Sequence, residues 1–219
     1  MQRREFSQTA LSAFSTAALA ATLPLSAQAQ GKPPAEGSEY LALDKPAATE
    51  AAAGKIEVVE FFWYNCPHCN AFEPQLEAWI AKAPKDVAVR RVPVAFRPDF
   101  EPQQRLYYVL EALGKVEALH KKVFYAIHVE KQSLNTAELI AAWAQKQGLD
   151  KAKFSELYNS FPVNLKARKA TQLQDAFKVD GVPALGVAGR YYTSGSLAGT
   201  MERALTVTDY LIGLARKGK

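Results

Sequence analysis

The sequence predicts an α/β fold interrupted by an all-helical insertion, and three observations carry that reading. Residues 55–96 order themselves as an apolar strand, an amphipathic helix and a second, alternating strand. From Arg97 to about Phe161 every periodic stretch has helical spacing. The chain then returns to a long helix, two short apolar runs split by Gly189-Arg190, and a closing helix, an α–β–β–α pattern. At 219 residues and 48% hydrophobic content there is ample apolar surface for a core.

Residues 1–29 read as a signal peptide. Arg3-Arg4 precedes an Ala-rich apolar stretch from Leu11 to Leu25, and Ala27-Gln28-Ala29 fits a small-x-small cleavage site. The stretch holds Ser, Thr and Pro24 and is too weakly apolar for a good membrane span. Arg3-Arg4-Glu5-Phe6 resembles an incomplete twin-arginine signal, so the Sec and twin-arginine routes both fit. Residues 30–54 mix Gly, Pro, Ala and Glu without periodicity and read as an N-terminal tail or linker, in which Tyr40-Leu41-Ala42-Leu43 forms a short edge strand.

The first long strand runs from Lys55 to Trp63. Val58, Glu60 and Phe62 point to one face and Val59, Phe61 and Trp63 to the other; both faces are mostly apolar, which is the pattern of a central strand covered on both sides. It runs into Cys66-Pro67-His68-Cys69. Pro67 suits a first helical position, because its missing N–H needs no partner there. The helix continues through Phe72, Leu76, Trp79 and Ile80, with Pro74 placed to kink it. Val87 to Phe96 alternates as a strand weakened at its end by Pro93. In the helical stretch, Glu101-Pro102 opens a helix closed near Gly114, and a second runs from Lys115 through Ile127. Asn135 with Glu138 resembles a capping box before a third helix stopped by Gly148, and Asp150 caps a short fourth one. Pro162 or Asn164 starts a long helix, Ala184–Ala188 and Tyr191–Thr193 form a hairpin, and the last helix covers roughly 201–216.

Cys66 and Cys69 are the chain's two cysteines. Three apart on a helical turn, they are close enough for a disulfide. A thiolate facing a helix N-terminus beside an imidazole has a depressed pKa, so the layout is that of a reactive dithiol. A structural disulfide scaffold needs more cysteines at wider spacing. A structural zinc site normally takes four ligands, and His68, His120 and His128 lack the required spacing. Haem attachment needs a histidine where Asn70 stands. No metal site is expected. The net charge of +5 is unclustered and gives no case for nucleic acid.

Glu60-Phe61-Phe62 followed by Cys66-Pro67-His68-Cys69, with Gly181-Val182-Pro183 further on, resembles the active site of the thioredoxin superfamily and, within it, the DsbA family of periplasmic thiol:disulfide interchange proteins. The resemblance covers about residues 40–219. It implies a thioredoxin fold built from 40–98 and 163–219, with 99–162 as an inserted helical subdomain. It further implies a monomeric protein disulfide oxidoreductase in the periplasm that donates its Cys66–Cys69 disulfide to reduced, unfolded exported polypeptides. A quinone-linked inner-membrane oxidase would reoxidise it, and no cofactor is needed beyond the redox-active disulfide.

Within that frame Cys66, at the mouth of the helix, is the expected nucleophile, and Cys69, one turn in, the buried resolving thiol. His68 is either an exposed histidine without specific contacts or a positive charge that stabilises the Cys66 thiolate. Glu60 is either a strand-end carboxylate reaching solvent or a buried acid that relays a proton to Cys69. Glu73 and Arg91 could each contribute charge near the site, but read as surface ion-pairing residues. Pro183 resembles the cis-proline that faces the dithiol, where Val182 and Pro183 shield Cys66 and an exposed backbone pairs with extended substrate. Two alternatives stand beside the oxidase: a periplasmic disulfide reductase or isomerase, and a non-enzymatic copper- or zinc-binding thioredoxin-like chaperone.

Overall fold

The computed structural model describes residues 32–218, so the signal peptide expected at 1–29 lies outside the described residues. A mixed sheet of five strands holds β1 (Leu41–Ala42), β2 (Ile56–Phe62), β3 (Val87–Pro93), β4 (Ala184–Val187) and β5 (Tyr191–Ser194) in the order β1-β5-β4-β2-β3. β2 lies between a parallel partner, β3, and an antiparallel one, β4. From Val58 to Phe62 all its residues are buried, which matches its near-continuous apolar sequence. A parallel pair needs a crossover, and α1 (Pro67–Ile80) supplies it. Pro74 lies inside α1, and the helix continues through it to Ile80.

Between β3 and the hairpin the chain forms a 3₁₀ turn at Pro98–Phe100 and five helices: α2 (Glu101–Ala112), α3 (Val116–His128), α4 (Ala137–Lys146), α5 (Lys151–Tyr158) and α6 (Phe161–Ala176). After β5 come the single turn α7 (Gly195–Ala198) and the closing α8 (Met201–Arg216). Residues 33–218 belong to one compact unit. One face of the sheet packs Val58, Leu185 and Val187 against Phe72 and Leu76 of α1 and Leu211 of α8. The other packs Val59 and Phe61 into the core that the α2–α6 helices share.

Local details differ from the sequence reading at four points. α4 is capped by Thr136, whose hydroxyl accepts the Leu139 N–H at 3.3 Å; the helix begins one residue later than an Asn135 cap would place it. α6 begins at Phe161, with the Ser160 hydroxyl as its cap and Pro162 in its first turn. β3 ends at Pro93, which has no N–H to extend the ladder. The hairpin turn is centred on Ala188 and Gly189, both at positive φ (53° and 65°), one residue before Gly189-Arg190; these are the dihedrals of the two-residue turn that matches strand twist. Gly186 in β4 has a different role. A Cβ there would lie 2.4 Å from the Phe177 ring, which itself meets Phe61 edge-on at 5.2 Å.

Candidate active site

β2 delivers the chain through Trp63, Tyr64 and Asn65 to the start of α1. Cys66 is the N-cap, with extended backbone (φ −82°, ψ 118°), and Pro67 follows it. An N-cap side chain faces the unpaired N–H groups of the first turn, the positive end of the helix. Both cysteines are free thiols in this structure. Cys66 retains 7% exposure and Cys69 none, so only one sulfur is open to attack. The Cys66 thiol donates to the carbonyl of Val182 at 3.4 Å. The Val182–Pro183 peptide is cis. A groove of about 370 Å³ opens beside it, lined in part by His68, Val182, Pro183, Gly195 and Met201.

The two thiols differ sharply in acidity. Cys66 is pulled down to about 6, chiefly by the hydrogen bond from the Cys69 thiol. Burial opposes this, while the backbone N–H groups of Cys69 and His68 and the His68 charge add to it. Cys69 is pushed well above the ordinary thiol range by burial first, then by its bond to Cys66 and the charge there. At neutral pH the pair therefore holds one thiolate and one thiol. His68 is exposed, and its charge adds to the lowering of Cys66 less than the Cys69 thiol does.

Beneath the dithiol lies a polar chain that sequence reasoning divided wrongly. Glu60 is fully buried, opposite Arg91 in the β2–β3 register. Glu73 and Arg91 are not surface ion-pairing residues: Glu73 is 4% exposed, and Arg91 holds it by Nε–Oε1 (3.3 Å) and Nη2–Oε2 (3.0 Å). Glu73 lies seven residues after Cys66 on α1, on the face turned to the sheet, so α1 itself carries it inward. Arg91 Nε also lies 3.1 Å from Glu60 Oε2, but its N–H is aimed at Glu73; neither Glu60 oxygen accepts a hydrogen bond from a described residue. Burial, reinforced by the Glu73 charge, raises Glu60 to about 8 against the pull of Arg91. Glu60 is thus the buried acid, not a carboxylate reaching solvent.

The chain extends to two histidines that the sequence reading weighed only as metal ligands. His120 of α3 touches Glu73 through Nε2 (3.0 Å) and Tyr64 Oη through Nδ1 (2.8 Å), and His128 Nε2 donates to the Tyr64 carbonyl at 2.8 Å. Both ends of Tyr64, two residues before Cys66, are therefore held by α3. A histidine beside Leu119 on the apolar face of α3 was the available signal.

A dithiol at a helix N-terminus, the carbonyl of Val182 before a cis-proline facing it and a sheet of this topology define a thiol:disulfide oxidoreductase of thioredoxin type. The chain belongs to the DSBA-like thioredoxin domain family, which matches residues 57–201. It is 45% identical over 191 residues to the thiol:disulfide interchange protein DsbA of Bordetella pertussis, covering 87% of this chain and 88% of that protein. It is 40% identical over 197 residues to the Pseudomonas aeruginosa protein of the same name, covering 90% and 93%. The crystal structure of Pseudomonas aeruginosa DsbA superimposes with a TM-score of 0.79 at 40% identity, over 84% of this chain and 95% of that one. DsbA from Xylella fastidiosa superimposes at 0.78 with 31% identity, over 84% and 98%.

Proposed function

We propose that this oxidoreductase works as an oxidase, donating its Cys66–Cys69 disulfide to reduced, unfolded exported polypeptides. The acidity difference between the two sulfurs supports the direction. A substrate thiolate attacks Cys66 Sγ, the more accessible of the two thiols. The S–S bond breaks, Cys69 leaves with the electron pair, and Glu60 gives it a proton. A second substrate thiolate then attacks the substrate sulfur of the mixed disulfide, and Cys66 leaves as its stabilised thiolate. The substrate loses two electrons and the dithiol holds them, so the protein needs no separate cofactor. A good leaving group at Cys66 favours donation over retention of the disulfide.

Pro67 sets the helix start that carries Cys66, His68 adds positive charge at the mouth, and Val182 with Pro183 borders the groove where an extended substrate backbone would pair. The chain's place is the periplasm, with export by the signal at 1–29 and reoxidation by a quinone-linked inner-membrane oxidase; residues 99–162 act as the inserted helical subdomain of a monomer. Among the described residues no helix is long and apolar enough to cross a membrane. Equilibration of the mature protein with glutathione buffers tests the direction. A strongly oxidising potential is expected, and one near −270 mV, as for a reductase of thioredoxin type, overturns the oxidase reading.

A further inference from the structure

His120 has no part in the exchange steps above, yet it is buried beneath them. Its ring lies within 5.2 Å of the rings of Phe62, Tyr64 and Phe124, and within 6.0 Å of Tyr107. A carboxylate only accepts, so Nε2 carries the hydrogen donated to Glu73 at 3.0 Å, and Nδ1 accepts from the Tyr64 hydroxyl at 2.8 Å. Burial depresses the imidazole more than Glu73 raises it, and Nε2 holds Glu73 by a hydrogen bond. Glu73 thus collects three donated bonds, two from Arg91 and one from His120. Burial opposes its ionisation, and these donors outweigh the burial, with His120 the foremost of them.

We infer that His120 is a positioning residue for the exchange reaction: by holding Glu73 in the fork of Arg91, it leaves Glu60 without a hydrogen bond and free to exchange a proton with Cys69. The inference rests on the oxidoreductase reading and extends it to α3. A guanidinium fork matches one carboxylate bidentately at a time. With its third donor gone, Glu73 is a poorer anion in a buried site. Arg91, already 3.1 Å from Glu60, then turns toward it, and Glu60 holds its proton less well. The groups facing Glu60 are Arg91 from β3, Cys69 and Glu73 from α1, Tyr107 from α2, and Tyr64; β4 offers apolar Leu185. His120 faces Glu73 and Glu77 of α1 as well as Arg91. Both tyrosines stay protonated, being raised by burial, so Arg91 and the two carboxyl groups decide the outcome.

The test isolates the step in which Cys69 acts. The full mature chain is loaded with glutathione on Cys66 at low pH and jumped to a series of higher values. Cys69 attacks Cys66 Sγ, the Cys66–glutathione bond breaks, glutathione leaves as the reduced thiolate, and the Cys69 proton passes to Glu60. Acid quench and mass spectrometry give the rate. In the wild type this rate rises with pH through the Glu60 titration. His120→Phe keeps the aromatic packing without the donor and is expected to move that inflection down by about one pH unit, a tenfold change in proton affinity. His120→Gln, whose amide can still donate to Glu73, is expected to keep the wild-type profile. An unshifted His120→Phe profile, or a His120→Gln profile displaced as far, overturns the inference. Should His120→Phe fail to fold, His120→Phe with Tyr64→Phe removes both partners of the second hydrogen bond, and the same shift is required of it. A wild-type protein that releases no glutathione at any pH instead overturns the oxidoreductase reading itself.

Discussion

Raising the pH from 5 to 8 is expected to stabilise the reduced protein relative to the oxidised one by about 2–3 kcal/mol. The perturbation acts through Cys66, which can ionise only when the disulfide is open. Its pKa falls from the ordinary thiol value of 9.0 to about 6 on folding. In full, that depression is worth ~4 kcal/mol, at ~1.4 kcal/mol per pH unit. Because the folded pKa is the lower one, the contribution is complete above pH 9 and is lost as the pH falls through 6. It is close to nothing at pH 5, ~1.4 kcal/mol at pH 7 and ~2.7 kcal/mol at pH 8. Cys69 stays protonated in the fold over this range, since burial raises it, and the remaining titratable groups are common to both redox forms. Against the thiolate stands the chain entropy of the disulfide, ~2 kcal/mol for so short a loop. The oxidised form is therefore expected to be the more stable at pH 5 and the reduced form at pH 8, with the two nearly equal in between. Urea unfolding of both forms across this range measures the difference. A difference that stays flat with pH would refute the assignment of a stabilised thiolate to Cys66, and with it the physical case for a disulfide donor.

Glu60→Gln is expected to stabilise the protein by about 3 kcal/mol at pH 7 and by little at pH 4, because a carboxyl raised to about 8 resists the ionisation that the unfolded chain permits. The same variant is expected to slow the Cys69 step; equal stability at pH 7 in denaturant melts argues that Glu60 ionises freely in the fold. Gly186→Ala drives a methyl into the Phe177 ring and is expected to cost roughly 1–3 kcal/mol by overpacking, read as a lower urea midpoint; a neutral outcome means that the ring moves aside freely. In reduced protein at mildly acidic pH, limited alkylation is expected to label Cys66 well ahead of Cys69. Equal labelling contradicts the burial difference between them.

Much of this protein is legible along the chain. The apolar run of β2, the proline after Cys66, the strand at β3, the Asp150 cap of α5 and the spacing of the two cysteines all depend on neighbours within a few residues. Periodicity and local hydrogen bonding govern such features, and they read correctly. The errors of one residue at Thr136 and at Ala188 are local too: adjacent residues of similar propensity competed, and backbone dihedrals chose between them. The buried chain below the dithiol is of another kind. Glu60, Arg91, Glu73 and His120 come from β2, β3, α1 and α3, and His120 lies 47 residues from the carboxylate it holds. Nothing in the composition of α1 or β3 separates a buried glutamate or arginine from a solvated one, because the partner that makes burial tolerable is supplied by another element. The sequence by itself determined the fold class, the dithiol and its setting at a helix mouth. Only the tertiary structure decided which charges face each other out of water, and so which buried acid keeps its proton.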